Sequence, residues 1–158
     1  MKQIKKILGL VIVFIIAFFY TLSPVFALNK INFQKPVVGE ISQAFYWYHP
    51  AVDIAGNEDA KVYPIADGKV IEVGYQFRGY GKYVAVQHDE KITSMYAHLK
   101  VVNAKTNQEV GKDSILGIVG STGRSTGPHL HLQIFDNNNW INPRVFLESY
   151  FGQKLASR

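Results

Sequence analysis

The sequence predicts an all-β domain, a small antiparallel sheet or sandwich, preceded by an N-terminal hydrophobic helix. Three observations carry that expectation. From Val37 onward the chain runs in short stretches rich in Val, Ile, Tyr and Phe, broken by Gly, Asp and Asn turn signals. No long helical period occurs in that region. Before it, one apolar run from Ile7 to Leu22 follows Lys2, Lys5 and Lys6. Short strands between turns argue a sheet, sandwich or barrel, and no internal repeat or second domain interrupts them.

The N-terminal stretch has the order of a secretory leader. A basic start and an apolar run lead to Ser23-Pro24-Val25-Phe26-Ala27-Leu28, with small residues Val25 and Ala27 placed for cleavage after Ala27. Residues 1–27 are therefore read as a signal peptide or, uncleaved, as a membrane anchor through residues 7–22, whose length approaches a bilayer span. A buried core helix is disfavoured, because nothing polar interrupts Leu10 to Phe19. Cut or anchored, residues 28–158 belong outside the cytoplasm.

Lys30 to Pro36 is a lead-in. Val62 to Ile65 and Lys69 to Tyr75 read as strands joined at Asp67-Gly68. Tyr83 to His88 and Ile92 to His98 read as a pair around Asp89-Glu90-Lys91. Ile115 to Val119 is a short apolar strand. At Pro128 a Gly, Ser and Thr loop gives way to alternation: His129, His131 and Gln133 share one strand face, Leu130, Leu132 and Ile134 the other. Asn137-Asn138-Asn139 is a turn, and Pro143 to Tyr150 can hold a helix with Pro143 in its first turn.

Composition narrows the chemistry. A chain of 158 residues is long enough for one domain with a core. There is no Cys, so a metal would have to be held by His and carboxylate. The 17 Lys and Arg exceed the 12 Asp and Glu by 5, but Lys2, Lys5 and Lys6 lie in the leader, leaving 14 minus 12, or +2. The body's charge does not imply a nucleic-acid partner.

Same-face residues on a strand are about 6.6 Å apart, so His129 and His131 can reach one shared point. His49 and Asp53 would lie roughly 13 Å apart on a straight strand, too far to ligate one ion. A bend at Pro50-Ala51 would bring them together; taken alone, the pair reads better as a surface His beside a loop-capping Asp. His98 closes its strand and shares a face with Ser94 and Tyr96 by alternation. Alone it reads as a strand-end residue bonded to backbone. His88 is read as structural, at a hairpin mouth. A phosphate loop is set aside, since Gly127 is followed by Pro128 and a strand rather than by Lys and a helix.

The combination outweighs these separate readings. A catalytic zinc site needs three protein ligands and one open position. His49, Asp53 and either His129 or His131 supply such a set. The other histidine and His98 would flank the open position, where they could move protons and support charge.

These motifs closely resemble those of the lysostaphin-type zinc metallopeptidases, bacterial cell-wall endopeptidases with a small antiparallel domain called the duplicated hybrid motif. The resemblance spans about Pro36 to Leu147. It rests on His49-x-x-x-Asp53, Tyr96-Ala97-His98-Leu99 and Ser125-Thr126-Gly127-Pro128-His129-Leu130-His131, with Ala66-Asp67-Gly68-Lys69-Val70, Gly79-Tyr80-Gly81-Lys82-Tyr83-Val84 and Gly120-Ser121-Thr122-Gly123 agreeing beside them. It implies that His49, Asp53 and His131 bind Zn²⁺, that His98 and His129 are the catalytic pair, and that His88 is structural. The substrate implied is a peptide of peptidoglycan, and Trp47, Tyr48 and Tyr96 are expected along its groove. Ala51 stands where that family usually has Gly. Some relatives of this fold have lost the metal site and serve as envelope scaffolds or activate other hydrolases; the distinguishing feature is loss of ligands, and all five positions are present here.

Overall fold

A computed structural model describes residues 31–156 of the chain, with side chains through Tyr150. The leader read at 1–27 lies outside the described residues. No helix among the described residues is long and apolar enough to cross a membrane.

The described strands are β1 (Ile41–Gln43), β2 (Val52–Ala55), β3 (Lys61–Val62), β4 (Gly68–Gln76), β5 (Gly81–Gln87), β6 (Ile92–Leu99), β7 (Val101–Val102), β8 (Glu109–Val110), β9 (Gly117–Ile118), β10 (His129–Asp136) and β11 (Asn139–Ile141), followed by helix α1 (Pro143–Ala156). The large sheet runs β1-β2-β10-β6-β5-β4-β8, and a small sheet runs β3-β9-β7. Every named pairing is antiparallel. The all-β expectation holds, with one helix at the end.

Strand β10 is central. β6 lies along one edge; on the other, β2 pairs with residues 129–132 and β11 with residues 134–136. Its apolar face, Leu130, Leu132 and Ile134, is buried with Val52, Val84, Val86 and Tyr96 in one core. The hairpin into β11 turns on Asn137 and Asn138, both at positive φ (48° and 65°), a conformation that Asn tolerates. At α1, the Asn142 side-chain oxygen accepts from Arg144 N at 3.0 Å, capping the helix start where Pro143 needs no partner.

The expected hairpin of residues 62–65 with 69–75 does not form. Val62 pairs with Gly117 in the small sheet, whereas β4 pairs with β5 and β8 in the large one. Pro64 offers no N–H to continue a ladder. The Ile65 N–H goes instead to the Tyr96 hydroxyl at 2.7 Å.

That bond begins a polar chain through the core. Tyr96 OH and Ser94 Oγ are 2.7 Å apart, Ser94 Oγ lies 2.7 Å from His88 Nε2, and His88 Nδ1 donates to the Asp67 carbonyl at 2.9 Å. A neutral His88 satisfies every link, with Ser94 donating to Nε2 and Tyr96 donating to Ser94. His88 is thus structural.

Burial pushes the His88 pKa below its ordinary 6.5, outweighing the Asp67 carbonyl that opposes the shift. On acidification the unfolded chain binds this proton before the folded one does. The His88 contribution to stability is therefore complete above pH 6.5 and is lost as pH falls below it. Urea unfolding across this range should show stability falling with acid, His88 supplying at most about 1.4 kcal/mol per pH unit. His88→Asn should remove that share of the slope. An unchanged slope would contradict the neutral assignment.

Candidate metal centre

Register on the large sheet assembles the first part of the site. His131 on β10 lies directly opposite Asp53 on β2 and Ala97 on β6. Opposed residues of an antiparallel pair share a face, so these three form a row across the side turned away from the Leu130, Leu132 and Ile134 face. Ala97 is small, which leaves room beside the imidazole.

His49 arrives from a turn rather than a strand. Tyr46 and His49 exchange backbone hydrogen bonds of 2.9 and 3.0 Å, closing a tight turn with Trp47 and Tyr48 at its tip. Ala51 N then donates back to the His49 carbonyl at 2.8 Å. This is the bend expected at Pro50-Ala51, and it folds His49 over Asp53. No positive φ occurs at Ala51, so the family's usual Gly is not needed there.

Three donor atoms converge. His131 Nδ1 lies 2.8 Å from Asp53 Oδ1, and His49 Nε2 lies 3.2 Å from the same oxygen. One ligand atom from each residue falls within 4.8 Å of the others. Tetrahedral zinc with bonds of about 2.0–2.2 Å requires ligand atoms roughly 3.4 Å apart, so the cluster fits after small shifts. The donor set, two imidazoles and a carboxylate, is also one that suits zinc. His49 Nδ1 donates to the Ala44 carbonyl at 3.1 Å, which leaves Nε2 with a free lone pair. Burial raises the Asp53 pKa, but the His131 hydrogen bond and the electrostatic pull of the His131, His49 and His129 imidazoles outweigh it. The group therefore sits below its ordinary 3.8, ionised and ready to ligate.

His98 and His129 stand beside these three, their rings 4.8 Å apart; the His98 ring lies 5.4 Å from that of His131. His98 Nδ1 donates to the Thr122 carbonyl at 2.7 Å and His129 Nδ1 to the Gly127 carbonyl at 2.8 Å. Both rings are thereby held as Nδ1–H tautomers with a basic Nε2. Burial lowers the His98 pKa below 6.5, His131 and His129 adding to the effect against the opposing Thr122 carbonyl. His98 is neutral at neutral pH, as a proton acceptor must be.

His98 corrects an expectation. Alternation places it on the face of Ser94 and Tyr96, but its φ is 61°, which turns it towards His129 and His131. Its N–H donates to Tyr80 O at 2.8 Å while its ring reaches Thr122 O. A β4–β5 hairpin tip and the 120–127 loop thus clamp it from two sides. These two segments meet through Gly81 (φ 61°) and Gly123 (φ 72°). A Cβ on Gly123 would lie 2.2 Å from Gly81 N, so no side chain fits.

Tyr96 is a second correction. It is 0% exposed, with its hydroxyl engaged by Ile65 and Ser94, and cannot line a groove. Trp47 and Tyr48 are 90% and 64% exposed at the turn beside His49. Sequence reasoning assigned no role to Gln133 or Tyr80. Gln133 is visible on the histidine face by alternation; Tyr80 lies in the Gly79-to-Val84 stretch of the resemblance, but nothing in that stretch ties its hydroxyl to the site, which it reaches through the hairpin tip.

The family model described as Peptidase family M23 matches residues 47–143. A glycyl-glycine endopeptidase of Staphylococcus capitis is 39% identical over 106 residues, 64% of this chain and 29% of that protein. The murein hydrolase activator NlpD of Escherichia coli is 33% identical over 119 residues, 73% of this chain and 31% of that protein. The chain spans between about a fifth and a third of the length of the first relatives it matches. Among solved structures, the catalytic domain of lysostaphin from Staphylococcus simulans matches with a TM-score of 0.60 at 31% identity, over 74% of this chain and 93% of that one. With a family match over more than half its residues and a lysostaphin domain of the same fold, the chain belongs to peptidase family M23, the lysostaphin-type peptidases.

Proposed function

We propose that this chain is a zinc metalloendopeptidase that hydrolyses peptide bonds in the stem or cross-bridge peptides of bacterial peptidoglycan. Its place is outside the cytoplasm, secreted to the wall or held at the outer face of the membrane through residues 7–22. One observation carries the reading: three donor atoms converge within 4.8 Å, beside two histidines whose Nδ1 atoms are both committed to backbone carbonyls.

Zinc bound at His49, Asp53 and His131 would supply Lewis acidity and lower the pKa of water in its open position towards about 7. The chain's own residues do the rest. Nε2 of His98 or His129 takes the proton of the attacking water. The protonated imidazole then supports the developing oxyanion and returns a proton to the leaving amine. The Trp47-Tyr48 turn is proposed to form one wall of the peptide groove, because it stands exposed beside His49.

The similarity to NlpD favours a second reading, in which the fold activates another hydrolase without catalysis. Retention of all five site positions favours the enzyme. The two readings separate on metal content and on new peptide ends. The enzyme should contain about one zinc per chain, and mass analysis of digested peptidoglycan of known cross-bridge type should show newly cleaved peptide bonds. A purified chain that never takes up zinc would support the activator.

The variants divide by role. His131→Ala and Asp53→Ala should lose both zinc and wall lysis. His98→Ala and His129→Ala should keep zinc while cleavage falls about 10²- to 10⁴-fold or disappears. Activity retained in His131→Ala would overturn the ligand assignment. Removing the metal with a chelator should abolish cleavage by the wild type, and stoichiometric zinc should restore it; cleavage that persists without zinc would refute the metallopeptidase.

A further inference from the structure

Gln133 is 1% exposed, and its amide touches two partners on the site face of β10. Gln133 Nε2 lies 3.3 Å from His131 Nε2 and 3.2 Å from Tyr80 OH, and Gln133 Oε1 lies 3.4 Å from the same hydroxyl. The Tyr80 ring packs 5.8 Å from that of His131. His131 meets Asp53 through Nδ1, so this amide is what its other nitrogen faces.

The two His131 tautomers place opposite demands on that amide. With the proton on Nδ1, given to Asp53, Nε2 has a lone pair and needs a donor. With a cation on Nδ1, the proton must sit on Nε2 and needs an acceptor. A carboxamide carries both, and a half-turn about its last torsion exchanges them. Tyr80 permits either orientation, because a hydroxyl can donate to Oε1 or accept from Nε2.

Building on the reading that His131 binds zinc, we propose that Gln133 is a positioning residue that sets which His131 nitrogen carries the proton, with the Tyr80 hydroxyl as its pivot. In the zinc-loaded protein Gln133 Oε1 accepts from His131 Nε2–H, and Nε2 of the amide donates to Tyr80. The pair orients the ligand and strengthens its hold on zinc without touching either metal or substrate.

The test uses the full chain, with zinc affinity measured by chelator competition and His131 protonation read by long-range ¹H–¹⁵N NMR of the zinc-loaded protein. Gln133→Met, similar in size but with only a weakly accepting thioether, should weaken zinc binding about 10- to 100-fold. Gln133→Glu, which still accepts, should recover most of that loss. Tyr80→Phe should give an intermediate loss, and it also decides the matter where the Met variant fails to fold. In the wild type the His131 proton should reside on Nε2. Wild-type affinity in folded Gln133→Met, or in Tyr80→Phe, would overturn the inference, as would a proton on Nδ1. A wild type that binds no zinc would instead overturn the functional reading on which this one rests.

Discussion

The pairing of β10 with β2 and β6 is the constraint on which the rest depends. Because side chains alternate with a period of two, a slip of one residue in either ladder would exchange the two faces of β10. His131 would then face the core, and Leu130 or Leu132 would meet Asp53. Burial of Leu130, Leu132 and Ile134 sets the register, since each contributes about 1.5–3 kcal/mol that a slip would forfeit. The opposite face inherits its geometry. Asp53 and His131 are thus brought together by hydrophobic sorting on the other side of the sheet, before any metal arrives.

The second constraint is the clamp on His98. A non-glycine residue at φ 61° carries strain of order 1–3 kcal/mol. Two bonds offset it: the backbone N–H to Tyr80 O and the ring Nδ1–H to Thr122 O. Their acceptors come from segments far apart in sequence, locked through Gly81 and Gly123 at van der Waals limits that exclude a Cβ. His98 therefore owes its direction to tertiary contacts rather than to the strand that carries it, and its Nε2 is fixed as the basic nitrogen by the same bond that relieves the strain.

This difference explains which features were legible in the sequence. The Pro128-to-Ile134 stretch could be read residue by residue, because a regular half-buried strand writes its faces into alternation. The bend at Pro50-Ala51 was legible because Pro forbids the straight course that would have separated His49 from Asp53. Tyr96 and His98 were assigned to one face by the same alternation rule, which fails where a positive φ is imposed from outside. The strand expected at Val62–Ile65 was broken by Pro64, and its pairing with β9 depends on a distant segment. Two- and three-residue strands such as β1 and β8 carry too little pattern to be seen. Gln133 had its position in plain view; its role needed Tyr80, which no periodicity could connect to it.

The three candidate ligands are also held with unequal stiffness. Asp53 and His131 sit opposite one another on neighbouring strands, so their backbones cannot separate without breaking the central ladder. His49 is on a tight turn, steadied by the Ala44 carbonyl at 3.1 Å and flanked by exposed aromatic residues that add little burial. A cation would therefore meet Asp53 and His131 on backbones already fixed, their side chains parting from the present 2.8 Å contact, and the turn would bring His49 in to complete the set. Such an arrangement couples ligation to the Trp47-Tyr48 tip: any movement that seats His49 also resets the exposed aromatic edge beside it. Metal affinity and the shape of the adjoining surface are then two consequences of one turn, so a change at its tip can alter both without touching a ligand.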